Sequence, residues 1–320
     1  MKRNSILGGL IWCTLLAGTL LDRLAFAWIE LLFLFAPLVI VPLGLELTSR
    51  TERGMGQGIA PSWPERIART IQLPAALLVV ASFFCERGQL EAILAAGWFV
   101  FCAILACAGI LRIRRGALKL LDHAIPAISF LYLPIGAAWL LASRIGLEPL
   151  HFQEPVVLLT AVHFHYAGFS APLLARSVGR ALDPAKAARG VGIAFRIVAL
   201  GVVLGPGILA AGFVIHPACK LLAALVLAAS EIGLAALFFL ALRKVHGVVA
   251  RFLIGLAAAA VLFSMVLAAI WAIGEYPLQP FVGLGEMARL HGSANAFGFT
   301  LCGLLGWILA ADPRQGKGST

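Results

Sequence analysis

Charge is what this chain lacks. Asp, Glu, Lys and Arg make up 12% of its 320 residues, against roughly 25% in an ordinary soluble domain. Hydrophobic residues supply 61% and the mean hydropathy is +0.98. So little charge cannot clothe a water-facing surface, and the composition belongs to the polytopic membrane class. Chemical motifs are also missing. No Gly-x-x-x-x-Gly-Lys-Ser/Thr run is present, which argues against a nucleotide site. No Gly-x-Ser-x-Gly elbow is present either, as a serine hydrolase of that type would need. The six cysteines, Cys13, Cys85, Cys102, Cys107, Cys219 and Cys302, form no Cys-x-x-Cys pair and no zinc spacing. Most lie in apolar runs, where a thiol behaves as a small hydrophobe. Cys85 and Cys219 fall near span ends on one side, which leaves a disulfide open there.

What the chain has is apolar runs of bilayer length. A helix needs about 20 apolar residues to cross the hydrocarbon core, and ten runs meet or approach this. They cover about 5–21, 24–47, 70–85, 91–111, 120–143, 155–175, 190–215, 219–242, 252–273 and 283–311, with the first and third short. Lys2 and Arg3 ahead of an apolar run, with Ala25-Phe26-Ala27 after it, resemble a signal peptide. The reading preferred here is an uncleaved first helix, because its basic flank fits the pattern of the whole chain. The fold class expected is all-α: a transmembrane bundle of about ten helices. Residues 1–311 form one transmembrane domain and residues 312–320 a polar cytoplasmic tail. The loop from Thr48 to Arg69 is read as a connector with a surface helical turn. Ten spans could divide into two halves of five.

The net charge of +10 raises the question of nucleic acid, and its distribution argues against it. Nineteen of the 25 basic residues fall in alternate loops, from Lys2 and Arg3, through Arg112, Arg114, Arg115 and Lys119, to Arg314 and Lys317. The opposite loops hold only Arg23, Arg87, Arg144 and Lys220. The positive-inside rule then puts both termini of a multi-pass protein in the cytoplasm. The natural partners of the basic loops are anionic lipid headgroups.

Polar residues at membrane depth are costly and mark function by default. The run from Pro155 to Ala175 has no acidic or basic side chain other than histidine, yet its centre reads His163-Phe-His165-Tyr166-Ala-Gly168-Phe169. Glu30 lies in the second span and Glu231 in the eighth. The last span carries Glu286, Arg289, His291 and Asn295. Counted at 1.5 Å per residue, all of these share the outer half and middle of the bilayer. An outward-facing pocket would collect them as substrate-binding or proton-relay groups.

His163 and His165 are two apart, about 200° on a regular helix, so they cannot readily hold one ion together. His163 and Tyr166 share a face, and so do His165, Gly168 and Phe169. His291 and Asn295 are four apart and share a face, and Glu286 and Arg289 are spaced to pair. Proline at 37, 42, 134, 172 and 206 either kinks helices in the ordinary way or breaks them around a substrate.

Three roles fit the histidines. They bind substrate or move protons in a transporter-like protein. Or they ligate metal or haem, with His163 or His165 meeting His291, in a membrane enzyme or redox protein acting on a lipid-like substrate. Or they only hydrogen-bond helices together. The first is the leading expectation, for an unidentified small molecule. No cofactor is required, and whether the chain is an enzyme stays open.

The His163–Phe169 run, together with His291-Gly-Ser-Ala-Asn295-Ala-Phe-Gly298-Phe, resembles the YndJ-like family of bacterial integral membrane proteins. The resemblance covers most of the chain. It implies a polytopic bacterial membrane protein, makes His163, His165, Tyr166, His291 and Asn295 the family-like positions, and supplies no reaction.

Overall fold

The computed structural model describes residues 2–54, 61–86, 88–183 and 188–311. Among the described residues there are ten long helices and no strand. They are α1 (Lys2–Leu20), α2 (Trp28–Arg53), α3 (Trp63–Ser82), α4 (Gln89–Arg114), α5 (Leu121–Ile145), α6 (Val156–Leu182), α7 (Arg189–Ile215), α8 (Pro217–Lys244), α9 (Val248–Glu275) and α10 (Leu284–Ala310). Each expected span corresponds to one helix. All except α1 and α3 are long and apolar enough to cross a membrane. α3 carries Glu65, Arg66 and Arg69 in its first two turns, and this charge dilutes its apolar length.

The connector expected over 48–69 is shorter than its composition suggested. α2 continues through Arg53, and α3 starts at Trp63 behind Ser62, with Pro64 in its first turn. A proline there loses nothing, since its absent N–H would be unpaired at a helix start in any case. Much of the expected connector is therefore the ends of these two helices, and the remainder, 55–60, lies outside the described residues. The tail over 312–320 lies outside the described residues.

The chain forms two compact units. The first comprises residues 1–48 and 57–170, hence α1, α3, α4, α5, most of α2 and the first part of α6. The second comprises the described residues within 49–56 and 171–311, hence α7 to α10, the rest of α6 and the end of α2. The single transmembrane domain expected over 1–311 thus has internal structure, close to five helices and five.

Three helices are interrupted by π-helical turns: Ala36–Ile40 in α2, Phe164–Ser170 in α6 and Ala294–Leu301 in α10. Pro37 lies in the first, and Pro172 follows the second by two residues. Proline removes one helical N–H and crowds the carbonyl four residues back, and a π turn is one way a helix accommodates this. Pro134 and Pro206 sit inside unbroken helices, so the broken-helix alternative applies to α2 and α6 and not to α5 or α7. The third π turn has no proline and is not marked in the sequence.

In the first unit α2 is the most enclosed span. Three of its carbonyls near the π turn accept side chains from three helices. Trp12 Nε1 of α1 donates to Leu31 O at 2.8 Å, Tyr166 Oη of α6 to Leu32 O at 2.9 Å, and Gln72 Nε2 of α3 to Pro37 O at 2.8 Å. Asn4 Nδ2 in turn donates to Gln72 Oε1 at 3.0 Å. Lipid offers these carbonyls no partner, so side chains supply one.

In the second unit small residues bring backbones together, as is usual between membrane helices. A Cβ added at Gly201 of α7 would lie 2.0 Å from Ser230 Oγ of α8. One added at Gly298 of α10 would lie 2.4 Å from the Ala260 Cβ of α9.

Candidate functional site

His165 is fully enclosed in the first unit. Its Nδ1 lies 2.8 Å from Ala161 O, one turn back, and its Nε2 lies 2.9 Å from Trp98 Nε1 of α4. The indole can only donate. The arrangement therefore assigns a neutral imidazole with the proton on Nδ1, accepting from Trp98. Phe33 stands edge-on to the ring at 5.3 Å. Close passage of α5 is possible because residue 136 is glycine: a Cβ there would lie 2.7 Å from His165 Nδ1. Gly168 likewise admits Tyr132, as its spacing predicted.

The regular-helix geometry used for His163 and His165 does not hold, because the π turn begins at Phe164. Tyr166, 7% exposed, is spent on the Leu32 carbonyl. It does not join His163 on a common free face. His163 is half-buried, with its ring edge-on to Phe164.

The second unit holds a different constellation. His291 Nδ1 lies 3.0 Å from Ser264 O of α9, and Asn295 Nδ2 lies 3.1 Å from His291 Nε2. Asn295 Oδ1 accepts from Ser264 Oγ at 3.2 Å. The expected i, i+4 face is thus formed, with Ser264 as an unforeseen third member. The face is not sealed. Residues 291 to 295 are all half-buried, in contrast to His165.

Glu231 lies at the centre of α8 and is 3% exposed. Among the described residues it makes no hydrogen bond or ion pair. Glu30 instead caps α2, accepting from Ala27 N at 2.9 Å. Glu286 and Arg289 are both exposed and no ion pair joins them. They lie in the first turns of α10, where water at the interface competes with pairing.

The expected site residues fall in both units. His163, His165, Tyr166 and Glu30 belong to the first unit, and Glu231, Glu286, Arg289, His291 and Asn295 to the second. Every ring nitrogen of His165 and His291 is already hydrogen-bonded within its own unit, so ligating a metal or haem through either ring would require breaking those bonds. Among the described residues no three His, Cys, Asp or Glu side chains are grouped to hold a metal ion. All six cysteines are free thiols, which closes the disulfide question for Cys85 and Cys219.

Sequence reasoning also missed a buried ion pair. Arg144 Nη1 and Glu91 Oε1 are 2.9 Å apart, with the guanidinium 4.0 Å from the Phe83 ring centroid. Arg144 reads as a loop residue, but the α4–α5 hairpin places it opposite Glu91. Arg112, near the other end of α4, pairs with Glu65 of α3 at 2.9 Å.

A model of the YndJ-like protein family matches residues 31–299. The chain belongs to this family. Both YndJ-like motifs fall within the matched residues, and each overlaps one of the π turns. The chain is 26% identical over 310 residues to the uncharacterized membrane protein YndJ of Bacillus subtilis (strain 168). That similarity covers 96% of this chain and 53% of the relative, so the chain spans about half the length of the relative it matches. No solved structure matches.

Proposed function

We propose that this multi-pass YndJ-like protein is a transporter-like protein of the bacterial inner membrane, with both termini in the cytoplasm, that binds a small polar molecule at the half-open face of α10. One observation carries this reading. His291, Ser293 and Asn295 present polar groups at bilayer depth and are left incompletely covered by protein. Lipid is a poor neighbour for such groups, and intramembrane polar side chains normally face a partner or a water-filled cavity. The sealed His165–Trp98 and Tyr166–Leu32 contacts then serve to hold the broken helices in shape. The basic loops sit against anionic headgroups on the cytoplasmic side.

Thiol labelling tests the reading, since maleimides need a hydrated thiol able to ionise. In a background with the six native cysteines replaced, Ser293→Cys and Asn295→Cys are compared with Phe263→Cys on the exposed face of α9. A membrane-impermeant maleimide added from outside should label positions 293 and 295 at least about tenfold faster than 263. Equal protection of all three would mean that α10 faces lipid, and the proposal would fail.

A further inference from the structure

The helix registers of the second unit converge on Glu231. In the α7–α8 pair Gly201 meets Ser230 and Gly205 meets Leu227, so Glu231 lies opposite the apolar stretch Ala199–Val202. In the α8–α9 hairpin Leu242 approaches Gly255 at 3.7 Å, and counting eleven residues from each places Glu231 level with Val266. Ser264 is within two residues of that level. Phe238 of α8 meets Phe299 of α10 at 6.0 Å. Glu231 lies seven residues before Phe238, and His291 and Asn295 reach its level through their bonds to Ser264. Seven residues are about two helical turns, so Glu231 points to the same side as Phe238, toward α10.

A carboxyl therefore stands at the middle of α8, 3% exposed, without a hydrogen-bond partner among the described residues, and level with a serine hydroxyl, an amide oxygen and an imidazole. An ionised carboxylate so placed, without a counter-charge, costs far more than packing returns. Two occupants resolve this: a bound proton, or a small hard cation, for which oxygen donors are suited. We infer that Glu231 holds one exchangeable monovalent cation, a proton or a sodium ion, in the polar layer it shares with Ser264, His291 and Asn295. Of the side chains that α7, α9 and α10 bring to this level, His291 is the titratable one; α6, which also packs on α8, carries buried Arg176 and exposed Arg180 toward its C-terminal end. Arg196 of α7 and Arg289 of α10 are both exposed.

The inference deepens the transporter reading and uses a probe of its own. A lipid-soluble carbodiimide attacks carboxyls that are protonated within an apolar setting. The intact protein in detergent is treated from mildly acidic to mildly alkaline pH, with and without sodium chloride, against a potassium control. Peptide mass spectrometry then locates the adduct, and Glu231→Gln serves as the blank. The expected result is an adduct on Glu231 whose yield falls about tenfold per pH unit once the site deprotonates. For a sodium site, sodium also suppresses the yield at fixed pH where potassium does not. For a proton site, only pH does. Absence of an adduct on Glu231 at every pH, or a yield indifferent to both pH and sodium, would overturn the inference. Labelling of α10 by maleimide without a Glu231 adduct would sink this inference alone and leave the binding site standing.

Discussion

At the scale of single residues, the contrast between His165 and His291 separates a structural histidine from a candidate site histidine. His165 is sealed and bonded on both nitrogens, and His291 is bonded but open to one side. Trp98→Phe keeps most of the volume and removes the only donor that meets His165 Nε2. The imidazole is then left buried with one unmet acceptor, a loss of about 1–3 kcal/mol. Unfolding by a denaturing detergent in mixed micelles should show a destabilisation of that size, with maleimide labelling at position 293 unchanged. His165 was conspicuous in the sequence because an imidazole in a charge-free run is unusual. Trp98 was not, because an indole in an apolar span reads as packing until a neighbour needs its N–H. Glu286 and Arg289 erred the other way: their spacing suits a pair, but spacing alone does not exclude water.

At the scale of elements, the ten helices were legible because hydropathy and alternating basic loops constrain each other. The π turns were legible only in part: Pro37 and Pro172 mark two of them, while the turn in α10 contains no proline. Their consequence is testable in α2. Tyr166→Phe and Gln72→Leu each take a donor away from an α2 carbonyl, and each should cost about 0.6–1.7 kcal/mol, the usual range for interhelical hydrogen bonds in a membrane protein. Both donors brace one interrupted helix, so the double variant should depart from additivity by about 0.5 kcal/mol or more. Strict additivity would mean that the π turn holds its shape without them. In α10, Gly298→Leu drives a side chain into Ala260. Overpacking of this kind costs about 1–3 kcal/mol and should also disturb the Ser264–Asn295 contact one turn away, seen as altered labelling at position 295.

At the scale of the whole molecule, the weakest links are the two helices that fall short as membrane spans, α1 and α3, and α3 is the one that the loops after it can test. On the positive-inside reading it is expected to cross all the same. If α3 spans, the turn between α4 and α5, which holds Arg115 and Lys119, lies in the cytoplasm. The segment from Gly146 to Glu154 then lies outside. If α3 instead lay along the surface, every later loop would change sides and the basic clusters would face outward, against the positive-inside rule. The buried Glu91–Arg144 pair adds a physical reason for the first arrangement: Arg144 is drawn into the protein on the side that is otherwise poor in basic residues. Reporter fusions settle the point. A reporter enzyme that matures only outside the cytoplasm should be active when joined after Glu148 and inactive when joined after Gly116. The reverse pattern would remove α3 from the set of spans. It would also turn the half-open face of α10 toward the cytoplasm, so that the maleimide in the labelling experiment would have to be supplied from within.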